Sequence, residues 1–275
     1  MYPIRSVGIS SLPLSPSSPI GVFDSGVGGL SVLRHVHQQL PYENLVYVAD
    51  SQFAPYGEKG EAFVIERALC ISRFLVDLPV KALVVACNTA TAAAVAELRK
   101  TFSVPIVGIE PGVKPAASLS KTGVVGVLAT RETVSSDKYA QLVSSYGGQK
   151  VITQPCPGLV DEIEAMNLGG NKLRSLLTRY LSPMLEAQAD ILVLGCTHYS
   201  FIAPLIQEIS GPDVRLIDTG APVAAELSRR LGERGLLSLE ENKKPPRFYT
   251  SALPARMEPI LAHFWGESAE ILPLP

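Results

Sequence analysis

The feature that most constrains the fold of this chain is a repeated alternation of short apolar runs with segments of helical pattern. The run at residues 81–86 is almost entirely apolar, which is typical of a strand that is covered on both faces. Such alternation favours parallel sheets with right-handed crossovers, and it predicts an α/β fold. The predicted strands are residues 20–23, 45–48, 81–86, 104–109, 123–128, 150–153, 191–194 and 214–217, and the predicted helices lie near residues 30–40, 61–76, 90–100, 136–145, 158–166 and 171–187.

The alternation divides into two series that resemble each other. Residues 84–89 match residues 192–197 in kind, since each stretch is an apolar strand, a cysteine, small polar residues and a helix start. Residues 21–25 likewise echo residues 126–130. The pattern predicts an internal duplication, with two similar α/β domains that each place a cysteine at the carboxyl end of a strand. Open α/β sheets bind their ligands at that edge.

The composition suits two domains with sizeable cores. The 275 residues are 47% apolar and 18% charged, which argues against a disordered or fibrous chain. The net charge is −2 and no run of Lys or Arg stands out, so we expect no nucleic-acid partner.

The first nineteen residues are rich in Ser and Pro and lack the apolar stretch of a secretory signal. No stretch of about 20 residues is apolar enough to span a membrane. We therefore expect residues 1–19 to be a flexible N-terminal extension of a cytoplasmic protein that has no membrane partner.

The four cysteines are far apart, and none belongs to a Cys-x-x-Cys pair. This spacing argues against a disulfide framework and against a metal site. Cys87 and Cys196 each follow a predicted buried strand and precede a predicted helix, whose N-terminus lowers a thiol pKa and favours the reactive thiolate. The alternative is that both are inert strand-end cysteines. For Cys70 and Cys156 we favour the interpretation of small buried hydrophobes.

A glycine turn at residues 24–29 joins the first predicted strand to the first predicted helix. Its backbone N–H groups could hold a carboxylate or a phosphate. No Gly-Lys-Ser/Thr follows it, and the full Gly-x-Gly-x-x-Gly pattern is absent. The alternative is a tight turn required by packing. Asp24 stands at the strand end, where a carboxylate can orient a base or a substrate ammonium.

His198 follows Cys196 by two residues, and a neighbouring imidazole can stabilise a thiolate or relay its proton. The alternative is a helix-capping or solvated histidine. Glu164 shares the predicted helix at residues 158–166 with Asp161 and Glu162. Taken alone, these three acids indicate a solvated helix face.

Four stretches together resemble the signatures of the glutamate racemases, a family of amino-acid racemases. They are residues 24–30, 55–57, 87–90 and 195–198, and residues 105–109 and 130–134 are also similar to the family. The resemblance covers nearly the whole chain after Pro19, and the two cysteine stretches together are its most specific part. Ser200 departs from the pattern, since Pro is common in the family at that position.

The resemblance implies two α/β domains with mainly parallel sheets, related by a pseudo-twofold axis, with the active site between them. The implied division is residues 20–115 plus 225–275 for the first domain and residues 116–224 for the second. The resemblance also implies that the reaction needs no cofactor, and members of the family are often homodimers, in varied arrangements. Some members with an extension such as residues 1–19 are activated by a UDP-linked peptidoglycan precursor, and a disordered tail is the alternative for this segment.

The implied reaction is the interconversion of L- and D-glutamate, which supplies D-glutamate for peptidoglycan synthesis. By resemblance, Cys87 and Cys196 are the two acid/base thiols, with Asp24 assisting the first, and His198 and Glu164 assisting the second. Two fixed groups on opposite faces of the α-carbon suit racemisation, because a single base would have to swing across the carbanion. The implied substrate-binding residues are Asp24, Ser25, Tyr56, Gly57, Asn88, Thr89, Thr130, Thr133, Thr197 and His198.

Three other functions remain open from the sequence. Related racemases and isomerases act on aspartate, hydantoins or maleate, and pocket shape decides between these substrates. A regulatory or ligand-binding protein could keep the fold without turnover, although both cysteines, Asp24 and His198 argue against it. A thiol redox protein is a third alternative, disfavoured because a Cys-x-x-Cys pair is absent.

Overall fold

The computed structural model describes residues 14–146, 148–239 and 244–275. Within them the chain forms ten strands, eleven α-helices and three 3₁₀ helices at Ser51–Phe53, Tyr56–Glu58 and Thr197–Ile202. The strands are β1 Ile20–Asp24, β2 Leu45–Ala49, β3 Ala82–Val85, β4 Ile106–Gly108, β5 Val124–Ala129, β6 Lys150–Pro155, β7 Ile191–Gly195, β8 Arg215–Ile217, β9 Arg247–Thr250 and β10 Ile271–Pro273. The helices are α1 Leu30–Gln39, α2 Glu61–Asp77, α3 Asn88–Thr101, α4 Val113–Leu119, α5 Arg131–Ser135, α6 Asp137–Ser144, α7 Leu159–Glu164, α8 Asn171–Glu186, α9 Ala203–Ser210, α10 Gly220–Glu233 and α11 Pro254–Trp265.

The strands form two parallel sheets, which we call the first and the second sheet. The first has the order β10-β9-β2-β1-β3-β4 and the second the order β6-β5-β7-β8. Every recorded strand pair is parallel. The order β2-β1-β3-β4 recurs as β6-β5-β7-β8, so the structure confirms the predicted α/β class and the predicted duplication.

The strand registers show that the two cysteines occupy equivalent positions. Gly21 of β1 pairs with Leu83 of β3, and Gly126 of β5 pairs with Leu192 of β7. Cys87 follows Leu83 by four residues, and Cys196 follows Leu192 by the same number. Each sheet therefore carries one cysteine just past the carboxyl end of its equivalent strand.

The core lies between the sheets and the apolar stripes of the helices. The strands β3 and β7 are buried along their whole length, as their apolar sequences predicted. In α8, Leu173, Leu177 and Met184 recur at helical spacing and are buried. Full burial of one such side chain stabilises the fold by about 1.5–3 kcal/mol. None of the helices in the described parts of the chain is long and apolar enough to cross a membrane.

The C-terminal strands extend the first sheet, since β9 pairs with β2 and β10 pairs with β9. Helix α10 packs against α1, which also belongs to the first sheet's side of the molecule. We call β1–β4, β9 and β10 with their helices the first unit, and β5–β8 with theirs the second unit. The division of the chain into two domains remains a proposal. We place the boundary at which the chain returns to the first domain between β8 and α10, because residue 224 lies inside α10.

Residues 14–19 of the predicted extension lie against the first sheet. The backbone N–H of Lys81 donates to the carbonyl oxygen of Pro19 over 2.8 Å, and its ammonium donates to that of Pro16 over 2.5 Å. The side-chain amide of Asn44 donates to the carbonyl oxygen of Ser17 over 3.2 Å. The remainder of the extension, residues 1–13, lies outside the described residues.

The two cysteines that the sequence assigned to the core differ in exposure. Cys156 is buried as predicted, but Cys70 is exposed, so the prediction for Cys70 is wrong. The buried stripe of α2 contains Ala68, Ile71 and Leu75. Position 70 falls outside that stripe and turns towards solvent, because a helix buries residues at spacings of three and four.

Candidate active site

A cavity lies between the two units, at the carboxyl ends of their strands. Its lining includes ten of the residues that the sequence predicted for the site, together with Pro55 and Val160, to which the sequence assigned no role in the site. The ten are Ser25, Tyr56, Gly57, Cys87, Asn88, Thr89, Thr130, Cys196, Thr197 and His198. Because the two sheets present equivalent edges to this cavity, residues from both units converge on it.

Three predicted site residues stand behind the lining rather than in it. They are Asp24, Thr133 and Glu164. Asp24 is hydrogen-bonded to Ser25 and Thr197, Thr133 to Thr89 and Thr130, and Glu164 to His198. The structure therefore brings together all thirteen predicted residues, ten in the wall and three directly behind it.

The sulfur of Cys87 begins a chain of hydrogen bonds that we call the Cys87 relay. Its thiol donates to Oγ of Ser25 over 3.7 Å, and the Ser25 hydroxyl donates to Oδ1 of Asp24 over 2.9 Å. Cys87 is also the N-cap of α3, and the N–H of Ala90 donates to its sulfur over 3.4 Å. The serine hydroxyl thus connects the thiol to a buried carboxylate.

The helix N-terminus does not make Cys87 a ready thiolate. Burial, followed by the charge of Asp24, raises the pKa of Cys87 to about 12, while the hydrogen bond from Ala90 acts in the lowering direction. The sequence-based expectation of a lowered pKa is therefore wrong for this thiol. Desolvation penalises the thiolate by more than one backbone N–H compensates.

The second thiol belongs to a different chain of contacts, the Cys196 relay. The sulfur of Cys196 lies 3.7 Å from Nδ1 of His198, and Nε2 of His198 lies 2.7 Å from Oε1 of Glu164. His198 is 1% exposed, which excludes a solvated histidine. Burial alone would lower the pKa of His198, but the hydrogen bonds to Cys196 and Glu164 outweigh it and raise that pKa well above its ordinary value.

The structure distinguishes Glu164 from the other two acids of its stretch. Its Oε1 also accepts a hydrogen bond from the N–H of Val27 over 2.8 Å. Glu162 instead forms an ion pair with Lys172, with 2.7 Å between Oε1 and Nζ. Glu164 is therefore the acid of α7 that contacts His198.

The glycine turn contacts the Cys196 relay from the opposite unit. A Cβ added at Gly26 would lie 1.9 Å from Oε1 of Glu164, and one at Gly28 would lie 2.4 Å from Nδ1 of His198. The sequence left two interpretations of this turn open, an anion-binding backbone and a tight turn required by packing, and both hold in part. The turn is tight because of packing, and its backbone binds a carboxylate, but that carboxylate is the protein's own Glu164.

Three hydroxyls form a cluster where α3 meets α5. The Oγ1 atoms of Thr89 and Thr130 lie 2.9 Å apart, those of Thr130 and Thr133 lie 2.9 Å apart, and those of Thr89 and Thr133 lie 3.2 Å apart. Thr130 is also the N-cap of α5, with its hydroxyl accepting from the N–H of Thr133. A cluster of neutral hydroxyls can donate to an anionic group without adding a positive charge.

Asn88 is buried in the wall with both polar atoms of its side chain unpaired. The residue is 4% exposed, and neither Oδ1 nor Nδ2 has a hydrogen-bond partner among the described residues. Buried amides are normally satisfied, so an unpaired one beside a cavity points to a bound ligand. Among the described residues that line the cavity, none is Lys or Arg, and no cluster of the described His, Cys, Asp and Glu side chains is arranged to hold a metal ion.

The sequence did not predict a group of hydrogen bonds behind Tyr56, which involves Asp50 and Arg67. The Tyr56 hydroxyl donates to Oδ2 of Asp50 over 2.5 Å, and the guanidinium of Arg67 donates to both carboxylate oxygens of Asp50. These contacts fix the 3₁₀ helix that carries Gly57, where an added Cβ would lie 2.5 Å from Cβ of Thr130. Asp50 directly follows β2, and that position at a strand end was the available sequence signal.

Comparisons with known proteins identify the family of this chain. A family model described as Asp/Glu/hydantoin racemase matches residues 20–227. The chain is 52% identical to a glutamate racemase of Pseudomonas paraeruginosa over 257 residues, which are 93% of this chain and 97% of that protein. A glutamate racemase structure from Bacillus anthracis matches with a TM-score of 0.86 and 35% identity, covering 94% of this chain and 97% of the other. Escherichia coli glutamate racemase, solved with L-glutamate and the activator UDP-MurNAc-Ala, matches with a TM-score of 0.81 and 32% identity, covering 93% and 97%.

Proposed function

The chain belongs to the Asp/Glu/hydantoin racemase family and racemises glutamate, and we propose that it does so by passing the α-proton between Cys87 and Cys196. The observation that carries this proposal is the placement of the two sulfurs. They come from equivalent positions of two units and line one cavity. Such a pair suits a substrate whose α-carbon lies between two acid/base groups.

The proposed reaction transfers one proton at each face of the α-carbon. The thiolate on one side takes the α-proton, and the C–H electron pair remains on the substrate as a carbanion. The thiol on the other side gives its proton to the opposite face, which forms the inverted C–H bond and leaves a thiolate. The reverse reaction exchanges the two roles, so neither thiol is consumed.

The two relays give Cys87 and Cys196 different surroundings before the reaction starts. Cys87, with its pKa raised to about 12, begins as the thiol. Burial would lower the pKa of His198, but the hydrogen bonds to Cys196 and Glu164 raise it, so a ring that readily takes a proton lies beside Cys196. We therefore propose that Cys87 begins as the thiol with Asp24 behind it, and that His198, held by Glu164, assists Cys196.

Neutral donors stabilise the carbanion in this proposal. Asn88 offers an unpaired amide and Thr89 offers a hydroxyl, whereas Thr197 donates its hydroxyl proton to Asp24 and can only accept from the substrate's ammonium. A preorganised donor aimed at developing charge contributes about 3–4 kcal/mol to catalysis. The further residues that we propose for holding the substrate's carboxylates and ammonium are Ser25, Tyr56, Gly57, Thr130 and His198, with Asp24 and Thr133 supporting them from behind the lining.

We further propose that the product D-glutamate serves peptidoglycan synthesis and that a UDP-linked precursor regulates the enzyme. The Escherichia coli relative was solved in complex with such an activator. Initial rates with and without UDP-MurNAc-Ala test the regulation in this chain, and an unchanged rate removes it. We also propose a homodimer, which light scattering tests by the mass in solution.

The decisive test of the reaction uses pure D-glutamate and the reduced protein in D₂O, without added pyridoxal. We expect optical rotation to decay while deuterium appears at Cα. L- and D-aspartate and hydantoins run in parallel distinguish the related racemases. Binding of glutamate without exchange would instead favour a ligand-binding protein, and peroxide sensitivity without racemisation would favour a thiol redox protein.

A further inference from the structure

Tyr47 lies fully buried beneath the glycine turn and comes from β2, outside every stretch that the sequence predicted for the site. Its hydroxyl donates to the carbonyl oxygen of Gly26 over 2.7 Å. The N–H of Gly26 donates to Oδ1 of Asp24 over 3.0 Å. The backbone of Gly26 is therefore held at both of its polar groups.

The carbonyl of Gly26 and the N–H of Val27 belong to a single trans peptide unit, since the cis bond in the described chain is that between residues 54 and 55. In a trans unit these two groups point in opposite directions. Tyr47 binds the unit on one side, and Oε1 of Glu164 accepts from it on the other, over 2.8 Å. This peptide unit is thus the connection between the Tyr47 hydroxyl and the Cys196 relay.

We propose that Tyr47 is a positioning residue for the Cys196 relay, an inference that rests on the proposed two-thiol reaction. Glycine has the freest backbone of all residues, so Gly26 alone does not fix the direction of the Val27 N–H. The bond from Tyr47 holds that N–H towards Glu164. Consecutive hydrogen bonds also polarise one another, which strengthens the contact between Glu164 and His198.

The chemistry of Tyr47 suits a fixed donor. Burial, followed by the charges of Asp24, Glu164 and Cys87, raises its pKa well above the ordinary value. The hydroxyl therefore keeps its proton throughout the pH range of an enzyme assay. Tyr47 does not line the cavity, so it acts on the reaction through Glu164 and His198 rather than on the substrate.

The first experiment compares Tyr47→Phe with Tyr139→Phe. Tyr139 is also buried, and its hydroxyl bonds to Thr153 over 2.6 Å, away from both relays. We expect Tyr47→Phe to lower kcat/KM by about tenfold, the effect of one lost hydrogen bond, with KM changed by less than about twofold. Its alkaline activity limb should move to lower pH, because a loosened Glu164 holds the proton of His198 less firmly. Tyr139→Phe should match the wild type.

Kinetic isotope effects distinguish a positioning role of Tyr47 from a general loosening of the active site. With α-deuterated substrates, slowing the Cys196 step should raise the primary isotope effect for the enantiomer whose α-proton faces Cys196 and lower it for the other. A merely structural defect would leave both isotope effects unchanged. Unchanged isotope effects together with an unmoved pH limb overturn the inference.

A third measurement uses the folded protein itself and needs no activity. With ¹³Cζ-labelled tyrosine, the Tyr47 signal should shift in Glu164→Gln, whereas the Tyr139 signal should not. Equal behaviour of the two signals overturns the inference even if Tyr47→Phe fails to fold. Failure of the wild type to racemise glutamate would contradict the proposed reaction instead, and the NMR comparison would still decide whether Tyr47 is coupled to Glu164.

Discussion

Thr197 donates its hydroxyl proton to Oδ2 of Asp24 over 2.7 Å, across 173 positions of the chain. Asp24 belongs to the first unit and Thr197 to the second, so this bond joins the two halves of the site. Burial raises the pKa of Asp24, while the charge of His198 and the hydrogen bonds from Thr197 and Ser25 act in the lowering direction. Asp24 is thus the end of the Cys87 relay, and it is also electrostatically coupled to His198 of the Cys196 relay.

Replacing either cavity thiol should stop racemisation. Cys87→Ser and Cys196→Ser each put a far weaker acid at one face of the α-carbon, and general acid/base groups contribute about 10²–10⁴-fold to rate. We expect losses of at least about 10³-fold in both directions, measured by circular dichroism with L- and D-glutamate. Near-normal turnover by either variant would rule out the two-thiol assignment.

Cys70→Ser is the matched control for the cysteine variants. Cys70 is exposed on α2 and does not line the cavity. The same chemical change should therefore leave kcat and KM unchanged. A loss of activity comparable with that of Cys87→Ser would mean that the substitution acts through folding or oxidation rather than through the reaction.

Two glutamates of one short helix should respond differently to the same substitution. Glu164→Gln removes the negative partner of His198, and we expect kcat to fall by roughly 10²-fold because the imidazolium beside Cys196 is no longer stabilised. Glu162→Gln removes only the ion pair with Lys172, whose side chain is 72% exposed, and activity should be preserved. Steady-state kinetics in both directions decide, and equal effects would contradict the Cys196 relay.

A methyl group at Gly57 should separate the cavity walls. The added Cβ would lie 2.5 Å from Cβ of Thr130, so one of the two units must shift. We expect Gly57→Ala to raise KM for glutamate by at least about tenfold, since small misplacements at an active site are costly. Gly60→Ala, three residues on, meets nothing within 4 Å and should leave KM unchanged.

The raised pKa of His198 predicts how its contribution to stability depends on pH. Burial would lower that pKa, but the hydrogen bonds to Cys196 and Glu164 raise it well above the ordinary value. Protonation therefore stabilises the folded state, fully below about pH 6.5 and progressively less as the pH rises through the folded pKa. The difference in free energy of unfolding between wild type and His198→Gln should shrink from pH 6 towards alkaline pH. Urea titrations under reducing conditions measure it, and a difference that grows with pH would refute the assignment.

The alternation of apolar runs and helical segments predicted the sheets and the place of both cysteines. These features are local, since a run such as β3 is apolar whatever surrounds it, and a cysteine after such a run must lie at the strand's end. The equivalence of Cys87 and Cys196 also follows from the repeated pattern. The strands β9 and β10 were not predicted from apolar runs, because they are only four and three residues long.

Tertiary structure alone decided the chemical state of the site. The sequence offered three acids at residues 161, 162 and 164, but only the approach of Val27, 137 positions from Glu164, and of His198 selects one of them. The sequence also indicated a thiolate at Cys87, whereas burial among residues of both units favours the thiol. Contacts between distant segments and the loss of water around a group are properties of the assembled fold, so no local pattern records them.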